Sequence, residues 1–147
     1  MKASRKVSHL LANKGDQVWS IGPDETVYDA LVLMADKGIG ALLVMQGTAI
    51  AGIFSERDYA RRVALEGKTS RQTPVRDVMT SDVVVVRPDQ SIPDCMALMT
   101  NRRIRHLPVV DKDRVVGVVS IGDVVKEIIA EQEFTIEQLE KYIGSNR

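Results

Sequence analysis

Two stretches of this chain match each other 65 residues apart, and that duplication limits the fold more than any other feature. Pro23-Asp24 returns as Pro88-Asp89, and the spacing then runs without a gap. Asp29 meets Asp94, Leu33-Met34 meets Leu98-Met99, Ile39 meets Ile104, Leu42 meets Leu107 and Val44 meets Val109. Gly52 meets Gly117, Ser55 meets Ser120 and Asp58 meets Asp123. Each copy of such a repeat is one supersecondary unit whose apolar face needs a neighbour. The chain therefore reads as two tandem β-α-β-β-α repeats of the α/β (α+β) class with a C-terminal helical extension.

The element order follows from local chemistry. Val18-Trp19-Ser20-Ile21 is a β-type run closed by Gly22-Pro23. Thr26 caps a helix with Asp29 as its partner, and Val27, Ala30, Leu31 and Met34 give that helix one apolar face. Gly38 stops it. Ala41–Met45 and Ala49–Phe54 are strands around Gln46-Gly47-Thr48, and Ser55 caps a second helix that reaches Gly67. In the second copy Val83–Val86 is the first strand. Ser91 then caps a helix with the stripe Ile92, Cys95, Met96 and Met99, and Leu107–Val110 and Val115–Val119 are strands around Asp111-Lys112-Asp113. Strands this continuously apolar belong to sheets covered on both faces, and neither half is long enough to bury its own surface well. The boundaries expected are residues 7–67 for the first repeat, a polar linker at 68–74, residues 75–130 for the second repeat, and a helical tail at 131–147. From Val124 to Ile143 the chain reads as a helix or a broken pair of helices: Val125, Ile128 and Ile129 continue one stripe, and Ile136, Leu139, Tyr142 and Ile143 form another without a counterpart after Asp58. That second stripe is either a lid on the core or a dimer contact.

Composition removes several classes of function. Twenty basic and twenty acidic side chains balance, and 4% aromatics supply no stacking platform, so nucleic acid is not an expected partner. No apolar run approaches the roughly 20 residues of a membrane span, and MKASRKVSHL lacks the apolar core of a secretion signal. A single cysteine, Cys95, fits a reducing cytoplasm and sits on an apolar helical stripe, which reads as core rather than nucleophile. Two histidines, His9 and His106, are too few for a three-histidine zinc site within one chain. Neither a Gly-x-x-x-x-Gly-Lys-Ser/Thr loop nor a Gly-x-Gly-x-x-Gly fingerprint occurs, and no nucleophile stands with a base and an orienting partner. No catalytic or metal-ligating residue is expected.

The repeated segments Gly52-Ile53-Phe54-Ser55-Glu56-Arg57-Asp58 and Gly117-Val118-Val119-Ser120-Ile121-Gly122-Asp123, with Ile104-Arg105-His106-Leu107-Pro108-Val109-Val110-Asp111, resemble the cystathionine-β-synthase (CBS) domain. The likeness covers roughly Val7 to Ile129, so the chain looks like a stand-alone tandem CBS pair. It implies two copies packed through their sheets with pseudo-twofold symmetry, two clefts for adenosine-type ligands, association into a homodimer, and a regulatory role. The ligands implied are AMP, ADP, ATP, S-adenosylmethionine or NAD(H), with no catalytic cofactor.

The resemblance also assigns candidate residues. Asp58 and Asp123 stand where the family's ribose-binding aspartate stands, and a carboxylate suits that task because it accepts from both ribose hydroxyls. Ser55 and Ser120 are three residues earlier, where Ser-x-x-Asp at a helix start is equally a capping box. The helix starts favour phosphate. Gly52 and Gly117 either let a ligand approach or mark tight packing. Val18, Ile21, Ile53, Val83 and Val118 either flank adenine or belong to the core. Arg105 and His106 match family positions that contact phosphate from the copy opposite the ribose aspartate, which pairs them with Asp58; their first-copy equivalents, Gly40 and Ala41, carry no charge. The Asp123 cleft would draw on Arg57, with Lys14 as a further candidate, while Arg61, Arg62, Arg102 and Arg103 read as solvated helix faces. The function expected is an adenine-nucleotide sensor that signals to a separate effector protein. The alternative is a constitutive interaction or stress protein whose clefts are vestigial.

Overall fold

The computed structural model describes residues 5–15 and 17–145, and its chain divides into two compact units. One is Gln17–Val84; the other joins the segment that precedes residue 17 to Val85 and all that follows. Each unit thus combines the body of one repeat with a leading segment from elsewhere in the chain.

In the Gln17–Val84 unit, β1 (Ser20–Ile21) pairs parallel with β2 (Ala41–Gln46), which pairs antiparallel with β3 (Ala49–Ser55). Helix α2 (Val27–Lys37) begins at Thr26, whose Oγ1 accepts from the Asp29 N–H, and ends at Gly38 in the left-handed region (φ 64°). A helix start leaves its first N–H groups without intrahelical acceptors. Here Thr73 O takes the Val27 N–H and Ser70 O the Tyr28 N–H, so the 68–74 segment is bonded to this helix. Arg71 also stacks on the Tyr28 ring. The core is Val27, Ala30, Met34, Leu42, Val44, Phe54, Val63, Val75 and Val78.

The second unit repeats this body. Helix α4 (Ile92–Arg102) starts at the Ser91 cap, and β4 (His106–Asp111) pairs antiparallel with β5 (Arg114–Ser120). Val86, Ile92, Cys95, Met99, Leu107, Val109, Val119 and Val124 are buried, with Val7 and Leu10 of α1 (Val7–Lys14). Both hairpins carry a bulge at the same place, leaving Ala51 unpaired opposite Val44/Met45 and Val116 unpaired opposite Val109/Val110.

Four expectations need correction. The Val83–Val86 strand shrinks to one parallel bridge, Val86 to Val109. In the first repeat Leu43 N–H donates to Trp19 O, but the residue equivalent to Leu43 is Pro108, which has no N–H to give Val84. The helix after Ser55 is an α-turn, α3 (Glu56–Asp58), that widens over Tyr59–Ala64 into i→i+5 bonds, Leu65 N–H to Ala60 O and Lys68 N–H to Val63 O. Arg62 is not merely solvated: its guanidinium donates to Met79 O at 2.9 Å and Val78 O at 3.4 Å. The C-terminal stretch is one unbroken helix, α5 (Ile121–Ser145). Its first turns spend Val124 on the core, while Ile136, Leu139 and Ile143 stay more than half exposed, which sets aside a lid over the core. No described helix is long and apolar enough to cross a membrane.

The leading segments carry a second, gapped repeat. Arg5 O accepts from Ile92 N–H, Val7 N–H donates to Gln90 O and Ser8 N–H to Pro88 O. In the other unit Thr73 O accepts from Val27 N–H, Val75 N–H donates to Glu25 O and Arg76 N–H to Pro23 O. The segment that opens the chain therefore serves the body of the second repeat, and the segment that opens the second repeat serves the body of the first.

Candidate functional site

Each unit presents one carboxylate at the third position of the helix that follows its glycine-containing strand. In the Gln17–Val84 unit this is Asp58. Ser55 Oγ accepts from the Asp58 N–H at 3.2 Å, and Asp58 Oδ2 accepts from Ser55 N–H and Ser55 Oγ, both at 3.0 Å. The Thr80 hydroxyl donates to Asp58 Oδ1 at 3.1 Å. Asp58 is buried (9% exposed), so these bonds also hold its carboxylate in one orientation.

Gly52 makes room for the chain that carries Thr80. Ile53 and Thr80 exchange both backbone hydrogen bonds at 2.9 Å. A Cβ on Gly52 would stand 2.7 Å from Thr80 O and 2.7 Å from Met79 Sδ. Of the two readings of Gly52, close packing of protein backbone accounts for this contact. Gly117 faces a side chain instead, with a Cβ falling 2.6 Å from Leu11 Cδ2.

In the other unit the carboxylate is Asp123. Its Oδ2 accepts from Ser120 N–H at 2.9 Å, and Ser120 Oγ accepts from Asp123 N–H at 3.1 Å. The partner here is a cation: Lys14 Nζ lies 2.5 Å from Asp123 Oδ2 and 2.7 Å from Val118 O. One ammonium thus does what Thr80 does with its backbone N–H and its hydroxyl. Burial alone would raise the Asp123 pKa, but the bond and charge of Lys14 with the Ser120 donors outweigh it and hold it below its ordinary value. His106 opens β4 opposite Ser120. Burial, then the charges of Lys14 and Arg105, depress its pKa, with the Asp123 carboxylate opposing them. Within this unit Lys14 reaches Asp123 directly, and His106 lies within electrostatic reach of Lys14, Asp123 and Arg105.

The remaining candidates are distributed more loosely. Ile53 and Val118 are half-buried and alternate with the buried Phe54 and Val119, so they face away from those core side chains. Val18 and Val83 are half-buried, and Ile21 packs against the core of its unit. Arg57 is half-buried on α3 and Arg105 exposed. The sequence expectation set Arg105 and His106 against Asp58; within its own unit His106 also has Asp123 as a charged neighbour. Sequence reasoning missed Thr80, Met79 and Leu11. The signal was present as Val7, Leu10 and Leu11 against Val75, Val78 and Met79, offset by 68 rather than 65 residues.

The family model for the CBS domain matches residues 8–65 and again 75–130. This chain belongs to the CBS-domain family. Pairs of CBS domains generally bind adenine nucleotides in regulatory roles. The CBS pair is 38% identical over 149 residues to the CBS domain-containing protein CBSX3, mitochondrial, of Arabidopsis thaliana, covering 95% of this chain and 72% of that one. It is 36% identical over 107 residues to the CBS domain-containing protein YhcV of Bacillus subtilis, covering 73% and 76%. Among solved structures, a CBS-domain protein from Burkholderia ambifaria superposes with a TM-score of 0.84 at 49% identity, covering 87% of this chain and 96% of that one.

Proposed function

We propose that this CBS pair is a non-catalytic sensor of adenine nucleotides (AMP, ADP, ATP or NAD(H)) that passes its state to a separate effector protein. The observation that carries the reading is the repeated carboxylate, Asp58 and Asp123, each held at a helix start by a serine capping box. Such a carboxylate is oriented before any ligand arrives, which lowers the cost of binding ribose hydroxyls. Ile53 and Val118, half-buried beside it, supply apolar surface for the base. Lys14 and Arg105 supply charge for phosphate, and His106, kept toward its neutral form by burial and its cationic neighbours, supplies a ring N–H; Arg57 supplies charge on the first repeat. The exposed apolar stripe of α5 supports a homodimer, and the single buried thiol of Cys95 supports a cytoplasmic location.

A second reading, a constitutive interaction or stress protein with vestigial sites, is favoured by the internal partners these carboxylates already have: Ser55 and Thr80 bond Asp58, and Ser120 and Lys14 bond Asp123. A thermal-shift panel of AMP, ADP, ATP, NAD⁺, NADH and S-adenosylmethionine separates the two. A ligand at about 100 times its Kd adds ~2.7 kcal/mol of stability. Stabilisation by an adenosine ligand with little response to guanine nucleotides is the expected result; no stabilisation by any of them makes the second reading the right one.

A further inference from the structure

The two repeats hold equivalent carboxylates by different chemistry. Thr80, which partners Asp58, is fixed by two backbone bonds to Ile53 and its hydroxyl is neutral. Lys14, which partners Asp123, is the last residue of α1 and reaches its acceptors through a four-carbon stem. Its side chain is 38% exposed, so the ammonium can leave without disturbing backbone pairing. In the same unit His106 lies within electrostatic reach of Lys14, Asp123 and Arg105, while the next carboxylate along α5, Glu127, is taken by Arg5 and Asn13.

We infer that Lys14 is an exchangeable counter-ion, and that the Asp123 site selects phosphorylated ribosides because their phosphate draws the Lys14 ammonium off the carboxylate. Both oxygens of Asp123 then accept from ribose hydroxyls, while Lys14 pairs with phosphate beside Arg105 and His106. A riboside without phosphate must compete with the lysine for Asp123 Oδ2 and offers it nothing in return. This inference rests on the adenine-nucleotide reading above and adds to it a specificity residue that acts on one repeat only.

Calorimetry of full-length Asp58→Ala protein, which isolates the Asp123 site, with adenosine and with AMP tests the inference. AMP is expected to bind more tightly than adenosine by about tenfold or more, the size of one charge-assisted hydrogen bond. Adding Lys14→Met is expected to bring the ratio close to one, whereas adding Lys14→Arg, which keeps the charge, preserves most of it. Methionine has the length of the lysine stem, and the arginine variant controls for misfolding. The Lys14 Nζ resonance of wild-type protein is expected to move to a phosphate-paired position with AMP that saturating adenosine does not produce. An AMP-to-adenosine ratio unchanged by Lys14→Met, with AMP still bound, overturns the role of Lys14 and leaves the sensor reading standing. Failure of wild-type protein to bind either compound overturns both.

Discussion

The hydroxyl of Thr80 donates to Oδ1 of Asp58 across 3.1 Å, joining the chain that enters the second repeat to the helix start of the first. Asp58 is buried, so losing this donor strands an acceptor. Thr80→Val is expected to cost about 1–3 kcal/mol in denaturant unfolding, and Thr80→Ser, which keeps the hydroxyl, well under half of that. Equal losses for valine and serine would mean that packing of the methyl group, not the bond, matters here.

The two strand glycines differ in what a methyl group would strike. At Gly52 the obstacle includes the Thr80 carbonyl at 2.7 Å, which is pinned in a backbone pair. At Gly117 it is the end of the Leu11 side chain, which can re-rotate. Gly52→Ala is expected to destabilise by about 1–3 kcal/mol and Gly117→Ala by less than about 1 kcal/mol. Urea midpoints of the two variants decide the order, and a larger loss at Gly117 would contradict it.

Acid should weaken the fold in two stages. The folded state holds the His106 pKa below its ordinary 6.5, first by burial and then by Lys14 and Arg105, against the opposing pull of Asp123. Below pH 6.5 the unfolded chain therefore binds more protons at this residue, and stability falls until the folded imidazole is also charged. Asp123 is likewise held below its ordinary 3.8, so its contribution is intact above that pH and is lost as pH falls through the lower folded value. Melting curves from pH 7.5 to 3 should show the first stage flattened in His106→Gln and the second reduced in Lys14→Met. A first stage that survives His106→Gln assigns it to another group.

Helix α5 carries Val125, Ile129, Gln132, Ile136, Leu139 and Ile143 at alternating steps of four and three, the spacing of a coiled-coil seam. Its apolar members are 39% to 56% exposed, Val125 least and Leu139 most. Isoleucine on one set of seam positions, with valine and leucine on the other, suits two strands, so a second copy is the expected cover. Full-length protein should scatter light as a dimer at micromolar concentration. A chain ending at Ala130, or Leu139→Lys, should weaken that dimer by about tenfold or more. A monomeric full-length protein sinks this expectation, and a truncated chain that dimerises equally well moves the contact off the helix.

Duplication, caps, most of the core and the elements from β1 to β3 and α4 to α5 were legible in the sequence because they depend on local periodicity, whereas helix α1 was not foreseen. Thr26 and Ser91 cap, Gly38 ends α2, and Ala30 and Cys95 are both fully buried at equivalent positions. Asp58 and Asp123 stood out for the same reason, since Ser-x-x-Asp closes within one helical turn. Even the loss of the Val83–Val86 strand was written in Pro108, whose missing N–H deprives the strand of a bond. What only the tertiary structure decided is the partner each carboxylate takes. Leading segments and repeat bodies follow one another along the chain, yet each leading segment serves the other repeat's body. Their offset of 68 residues, against 65 for the bodies, hides that equivalence from an ungapped comparison. Lys14 and Asp123 are 109 residues apart, and no propensity or periodicity links positions so distant. Their pairing arises because α1 buries Val7 and Leu10 in the second repeat's core, which sets the end of the helix, and its one long cation, against Asp123.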